Sequence, residues 1–557
     1  MSASSRITRR GVLAVAAAGA LTTSIVALGG WRIVPRPIIS PDPGGRVGAA
    51  GDPATAMGLA RAPLAIPPLD VGIVGADGVR EFALAAQAGT SEFRPGTQTP
   101  TWGYNGAFGG PTLRAAEGEA VRVRVRNDLD EVTTTHWHGM KLPALADGGP
   151  HQPIHPGKTW TAEWTVEQPA ATLWYHPHNH GTTEAHVYRG LAGLFIIDDA
   201  NPAADAPLPR EYGVDDVPLV VADRSFAADG SFDERRRDAT GMLGDTLLVN
   251  GTVSPRFTAT RTKTRLRILN GSTARSYRFQ LGAGPAGAEA PGGQPLHTKL
   301  ELVATDSGLL PEPALVDGVT LTPGERAEVI VTLEPGETAM LRSAPHSLGL
   351  LGTTERASGT RDSFDVLELT REAAGPADAP ADALADAPSD SPSLAEWIAA
   401  GGTIAAPFPA DAEPDRRRTV TLQDNKINHR RMNMARIDEV VTVGDRERWF
   451  ITNEHFLPHN LHIHNARFRL ISIGGREPAA ELRGWKDTVY APPSRTVVVD
   501  VEYGTSTDPH LPYMFHCHLL QHEDQGMMAQ FVVVRPGETA GPLDTPAIRD
   551  GGSHDSH

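Results

Sequence analysis

In Glu119-Ala120-Val121-Arg122-Val123-Arg124-Val125-Arg126, apolar and charged residues alternate without a break from Val121 on. Successive side chains of a β-strand point to opposite faces, so this octapeptide reads as a strand with one dry and one wet face. Thr264-Arg265-Leu266-Arg267-Ile268-Leu269, Arg326-Ala327-Glu328-Val329-Ile330-Val331 and Ser494-Arg495-Thr496-Val497-Val498-Val499 have the same character. Long amphipathic helices are scarce, and many short strands between Gly/Pro turns predict an all-β chain of sandwiches or barrels. A phrase also recurs, in which a Pro-Gly or Gly-Asp/Glu turn leads into a strand that ends in Asn. It runs from Glu117-Gly118-Glu119 to Asn127, ends again at Asn270, and runs from Gly444-Asp445-Arg446 to Asn453. This reads as a weak internal repeat of one sandwich unit.

The 557 residues suffice for roughly three or four domains. A hydrophobic content of 40% with 6% aromatic residues is ordinary for a globular protein. Composition shifts predict a Pro/Gly/Ala-rich linker at 31–65 and sandwich domains at 66–205, 210–371 and 415–536. They also predict a disordered linker at 372–414, whose 372–395 stretch is mostly Ala, Pro, Asp and Ser, and a flexible tail at 537–557. His554 and His557 in that tail read as solvated. A formal net charge of −16 argues against nucleic acid or an anionic membrane surface as partner.

At the N-terminus, Arg6, Arg9 and Arg10 precede an uncharged, mostly apolar run from Gly11 to Gly30. Twin arginines beside such a run resemble the signal of the twin-arginine export route, which carries proteins already folded. Residues 1–30 are therefore expected to act as an export signal, with weak cleavage candidates at Ala27-Leu28-Gly29 and Val47-Gly48-Ala49. A retained membrane anchor is the alternative, since about 20 apolar residues can span a bilayer.

His516-Cys517-His518-Leu519-Leu520-Gln521-His522-Glu523-Asp524-Gln525-Gly526-Met527 holds the single cysteine, which excludes an internal disulfide. Cys517 lies between two histidines, with a third five residues on and a methionine ten residues on. A soft thiolate with imidazoles and a weak axial thioether suits a trigonal electron-transfer copper. His516 and His518 point the other way and can hold different ions, so one strand would wire this copper to a second metal centre. Three more clusters follow the same logic: His136-Trp137-His138-Gly139, His176-Pro177-His178 and His459-Asn460-Leu461-His462-Ile463-His464. A His-x-His pair on a strand puts both imidazoles on one face. With 21 histidines in the chain, roughly one such pair arises by chance, but four clusters with one around the sole cysteine are a far stronger signal.

In order and spacing, these motifs resemble the signature of the multicopper oxidases, which include laccases, bilirubin oxidases and bacterial cuprous oxidases. The resemblance covers about residues 70–535. Gly244-Asp245-Thr246-Leu247-Leu248-Val249-Asn250-Gly251, Leu309-Leu310-Pro311-Glu312-Pro313 and Gly484-Trp485-Lys486-Asp487-Thr488-Val489 look most like the bacterial periplasmic cuprous oxidase branch. The resemblance implies three cupredoxin-like Greek-key domains and four copper ions. It places a type 1 copper on His459, Cys517 and His522 with Met527 as axial ligand, favoured by spacing over the adjacent Met528. It places a type 2 copper on His136 and His462, and a type 3 pair on His138, His176, His178, His464, His516 and His518. Reduction of dioxygen to water consumes four protons, and the resemblance implies proton delivery by Asp147 and Glu523. His180 and His186 match no ligand position.

The chain departs from the cuprous oxidase branch where that branch collects cuprous ions. The methionine-rich insertion is replaced by 372–395, which has no methionine, and the acid and methionine before the first type 1 histidine read His455 and Leu457. Met432 and Met434 are the nearest substitutes in sequence. The expected function is therefore a laccase-type copper oxidoreductase taking single electrons from a small phenolic or aromatic donor. Dioxygen is its acceptor. The resemblance implies a monomer, and the signal implies the periplasm, the cell envelope or the extracellular space. A cuprous oxidase for copper tolerance stays open as an alternative, as does a non-catalytic cell-envelope cupredoxin-like protein. Superfamily members with the latter role have lost their copper ligands, and this chain retains all of them.

Overall fold

The computed structural model describes residues 61–200, 207–235, 237–283, 299–373, 397 and 413–543. The export signal expected at 1–30, nearly all of the 31–65 linker, most of 372–414 and the end of the tail lie outside the described residues. Among those described, no helix is long and apolar enough to cross a membrane.

Among the described residues, strands form six sheets in three pairs. In the first pair, Arg80–Arg94 runs parallel to Ala120–Asn127, which pairs antiparallel with Thr159–Thr165. The same parallel-then-antiparallel triplet recurs as Asp216–Arg224, Lys263–Asn270 and Arg326–Thr332. It recurs again as Arg416–Gln423, Glu447–Asn453 and Thr496–Tyr503. The asparagine that ends each middle strand explains the repeated phrase. Asn127, Asn270 and Asn453 each accept a backbone N–H two residues on, from Leu129, Ser272 and His455. Each Nδ2 donates to two carbonyls, those of Glu131 and Ile154, Arg275 and Leu321, or Leu457 and Ala491. One side chain thus closes a strand end by supplying the partners that the ladder lacks there.

The alternating stretches all fall within or across strands, but two are not half-exposed. Arg265 and Arg267, on the outward face of Lys263–Asn270, are buried, as is Glu328 opposite them. Thr172 of the first sheet pair covers this face: its hydroxyl donates to Glu328 at 2.6 Å and accepts from Arg267 at 2.7 Å. Arg267 also forks onto Asp216. A contact between sheet pairs therefore turns a nominally wet face into a dry one. The stretch beginning at Ser494 starts its strand only at Thr496, because Ser494 adopts φ 57° in the preceding turn. At the other end, Ala62–Pro63 is not linker but pairs in parallel with Pro255–Arg256, held by Arg61 on Asp365 at 2.7 Å.

Two kinds of cohesion join the sheet pairs. The first and third share one continuous apolar core, from Phe82 and Trp137 to Trp449, Phe515 and Val533. The second has a core of its own around Val217, Leu266, Phe279 and Val366. It is tied to the others by buried polar groups. Arg326, fully buried, donates to Thr172 O of the first pair at 2.9 Å and forks onto Asp487 of the third, both bonds at 2.7 Å. Lys486 Nζ lies 3.0 Å from both Asp306 and Glu325. Gly139 makes the approach possible: at φ 87°, a Cβ there would stand 2.6 Å from Asp487 Oδ2 and 2.8 Å from Arg326 Nη2.

Breaking a buried, hydrogen-bonded ion pair costs about 3–5 kcal/mol, because the surviving charge stays buried. Arg326→Leu is expected to lower stability by that amount, read as a drop in the urea or thermal midpoint. A midpoint unchanged within error would mean that the three sheet pairs do not depend on this pair.

Candidate metal centre

Strand pairing brings the histidine clusters together. The short strand His136–His138 pairs antiparallel with Ala171–His176, placing His136 opposite His176 and His138 opposite Trp174. In the third sheet pair, His459–Ile463 places His462 opposite His516. Trp137, between the two histidines of its strand, points into the core beside Trp164 and Tyr175. Period-two alternation thus sends one face of each strand to the core and the other to the domain interface. His136, His138, His176, His178, His462, His464, His516 and His518 are all buried there.

Three groupings emerge. The Nε2 atoms of His178, His464 and His516 lie 3.0–3.2 Å from one another. His138, His176 and His518 form a second set, with His176 Nε2 3.4 Å from His138 Nδ1. His136 and His462 form a third with His138. The His136 and His462 Nδ1 atoms donate to the carbonyls of Asp147 at 2.8 Å and Asp487 at 2.9 Å, and their Nε2 atoms have no hydrogen-bond partner among the described residues. The rings stack in pairs, His138 on His462 at 3.6 Å and His136 on His464 at 3.8 Å. So many buried imidazole nitrogens with facing lone pairs repel one another, and bound cations relieve that repulsion.

Cys517, His459 and His522 form the last set. Sγ lies 3.6 Å from His459 Nδ1 and 3.7 Å from His522 Nδ1, and the two nitrogens are 3.1 Å apart. The His522 Nε2–H donates to Ala239 O at 2.9 Å, which leaves its Nδ1 lone pair facing the sulfur. Met527 is fully buried in the same core, and its carbonyl accepts the Cys517 N–H. Burial pushes the Cys517 thiol up to about 12, so a cation must displace its proton to bind. Asn460 braces the site: its Oδ1 accepts the His518 N–H at 2.7 Å, and its Nδ2 donates to Thr322 and Pro323 of the second sheet pair. A thiolate, two imidazoles and a thioether suit a copper that changes oxidation state, and nitrogen-only sets suit copper as well.

The two predicted carboxylates reach the cluster from opposite sides. Asp147 Oδ2 accepts from His464 Nδ1 at 2.9 Å, and burial pushes its carboxyl well above the usual range. Glu523 lies 3.1 Å from His516 Nδ1 and 3.4 Å from His178 Nδ1. Burial opposes its ionisation, but the two imidazoles outweigh burial and hold it well below the usual range. His180 is exposed, and His186 is buried against Thr133 and Trp102, outside these groupings.

Asp487 was not singled out for a role from sequence. Its Oδ1 lies 3.0 Å from His138 Nε2, which orients that ring and turns Nδ1 toward His176. Thr488 Oγ1 adds a contact to the same Nε2 at 3.1 Å. The signal available was the position of both residues within Gly484–Val489. Trp174, stacked on His176 at 4.0 Å, carried no signal beyond lying two residues upstream.

Burial lowers the pKa of His136, His138, His176, His178, His459, His462, His464, His518 and His522, to about 4 for His178 and His522 and about 3 for His518. Below about pH 6.5 the unfolded chain therefore binds protons that the folded one refuses, so stability falls with acidification at up to about 1.4 kcal/mol per pH unit per imidazole. Protein stripped of metal is expected to show a urea midpoint that drops steeply between pH 7 and pH 5. A flat midpoint would mean that the folded cluster accepts protons freely.

Two family models described as multicopper oxidase match residues 85–202 and 408–537. The multicopper oxidase mco of Staphylococcus haemolyticus is 32% identical over 464 residues, 82% of this chain and 89% of that protein. The cell division protein FtsP of Yersinia pestis is 34% identical over 448 residues, 79% of this chain and 86% of that protein. Among solved structures, a laccase from Pediococcus acidilactici superposes with a TM-score of 0.71 at 31% identity, covering 85% of this chain and 94% of that one. A laccase-like CueO from an Ochrobactrum species also reaches 0.71, at 33% identity, over 85% of this chain and 100% of that one. The sandwiches are cupredoxin-like, and by sequence, fold and the histidine and cysteine sets that the fold assembles, the chain belongs to the multicopper oxidase family.

Proposed function

We propose that the protein is an exported laccase-type oxidase. It takes single electrons from phenolic or similar aromatic donors at a copper on His459, Cys517, His522 and Met527, and passes them to dioxygen at a three-copper cluster. In this reading His136 and His462 hold the type 2 ion. His138, His176 and His518 hold one type 3 ion, and His178, His464 and His516 the other. The domains run over 66–205, 210–371 and 415–536. Bound copper supplies one-electron steps at the first site and four-electron reduction of dioxygen to water at the second.

The observation that carries the reading is the continuity of His516-Cys517-His518. Cys517 faces the thiolate set while its two neighbours face the histidine cluster, so electrons cross between sites along one stretch of backbone. The remaining residues divide the proton work. Two carboxylates whose environments push their affinities apart are suited to complementary acid and base roles. Asp147, whose ionisation burial disfavours, is suited to hold a proton beside His464. Glu523, kept ionised beside His178 and His516, accepts protons bound for the cluster.

An organic donor is favoured by the surface over His459. A recess of only about 10 Å³ lies against that ring, lined by Pro458, Leu348 and Tyr490 among others. Phe456 and Leu351, close in sequence to that lining, are 56% and 72% exposed. An apolar edge suits an aromatic ring better than a hydrated metal ion. The Ochrobactrum protein is described as having oxidase activity towards lignin model compounds, which supports the same donor class. FtsP likeness favours a non-catalytic envelope role as the second reading. The complete donor set argues against it, because such a role needs no buried thiolate.

Oxygen uptake by copper-loaded protein, offered a simple phenol or cuprous ion in parallel, tests the reading. Faster uptake with the phenol, abolished with the blue colour in Cys517→Ser, is expected. Faster uptake with cuprous ion would assign a metal-oxidising role, and no Cys517-dependent uptake with either donor would sink the oxidase reading for these donors. Glu523→Gln keeps the fold but removes the proton acceptor, and is expected to cut turnover about 10²-fold or more while leaving the blue colour intact. Full turnover in this variant would remove Glu523 from the proton route.

A further inference from the structure

Between the first and second sheet pairs lies a cavity of about 470 Å³, unrelated to the histidine cluster. Its size is that of a pocket for a small organic molecule. Ala65, Pro68 and Asn105 on its lining are exposed, so it has a rim at the surface. Most of its wall is apolar or glycine, including Phe108, Val187 and Leu248. Its polar side chains are those of Asp70, Tyr104, Asn105, Asn250 and Arg224, of which Tyr104 is paired with Thr135 and Asn105 with the backbone of Ala83 and Ala85. Asp70 is half-buried and accepts the Gly72 N–H, and Asn250 is satisfied by three backbone partners.

Arg224 is different. Six arginines are buried among the described residues: Arg224, Arg265, Arg267, Arg275, Arg326 and Arg418. Five of them pair with carboxylates, on Glu328, Asp216, Asp223, Asp487 and Glu447. Arg224, 2% exposed, pairs with none. Its two hydrogen bonds go to backbone carbonyls, Asp223 O at 2.8 Å and Val187 O at 3.1 Å, and its Nε has no partner. The neighbouring Asp223 carboxylate is turned away onto Arg275 at 2.8 Å and Gly244 N at 2.6 Å. The guanidinium carbon lies 4.6 Å from the Tyr188 ring centre, 5.6 Å from Phe232 and 5.9 Å from Phe108. Aromatic faces favour the cation but do not neutralise it. A buried guanidinium with three N–H groups to spare, on the wall of an apolar cavity, is complementary to a carboxylate carried on an apolar body.

We propose that this cavity binds an organic monocarboxylate, with the carboxylate against Arg224 and the apolar body among Phe108, Val187 and Leu248. A small inorganic anion would satisfy the charge but leave most of the volume empty. The inference stands whether or not the chain is an oxidase, since no copper ligand lines the cavity.

The test is calorimetric titration of the full-length, copper-loaded protein with decanoate, and with decanol as the uncharged control. Saturable binding of decanoate at least tenfold tighter than decanol is expected. Arg224→Met should abolish that preference. Because Arg224 also braces two carbonyls, Ala192→Trp provides a second variant that fills the cavity from its wall and leaves the guanidinium in place; it should abolish binding of both probes. Absence of saturable decanoate binding, equal affinity for acid and alcohol, or binding undiminished in Ala192→Trp would each overturn the proposal.

Discussion

The Arg326–Asp487 pair is the constraint on which the rest of the assembly depends. All five N–H groups of Arg326 are used: two on Asp487, and one each on the carbonyls of Thr172, Gly324 and Asp306. A guanidinium this deeply buried is tolerable only when fully satisfied. Satisfying it requires residues from all three sheet pairs at once, so the geometry of the interface is fixed by one side chain. Asp487 Oδ1, while accepting from Arg326, also faces His138 Nε2. The orientation of a cluster histidine in the first sheet pair is thus set by a residue of the third, which is itself held by one of the second.

The two modes of cohesion suit different tasks. An apolar core shared by the first and third pairs gives non-directional stabilisation, which grows with area and tolerates small adjustments. Ion pairs and hydrogen bonds to the second pair are directional and punish displacement. Directional contacts bear on Asp487 and on Asn460 of the strand His459–Ile463, the residues that brace the histidine and cysteine sets. Among the described residues the second sheet pair adds no member to the histidine and cysteine sets, yet through Arg326, Thr322 and Ala239 it touches residues of both.

Much of this was legible in the sequence because it depends on local periodicity. Alternation along Ala120–Asn127 needs only the pleat, and the clustering of histidines around Cys517 needs only strand geometry. The recurrent strand-ending asparagine marked a real repeat, since the same three-bond pattern closes a strand in each sheet pair. Burial of Arg265, Arg267 and Glu328 was not legible, because a charged face covered by another sheet reads the same as one covered by water. Nor were the roles of Asp487 and Arg326, whose contacts with each other, with Thr172 and with His138 span more than 150 positions of the chain. Sequence spacing also could not say which histidines come together in one group. That division follows from which strands cross the interface side by side.

The distance along the chain between the halves of the cluster has a consequence for biosynthesis. His178 and His516 converge although 338 positions separate them. A nascent chain that has completed its first sandwich presents four histidines and no thiolate, an incomplete donor set on an unpaired face. The full chelating environment comes into being only when the last sandwich docks. In the proposed oxidase, metal acquisition would therefore wait for the end of translation, because a prematurely terminated chain lacks half of the donor set.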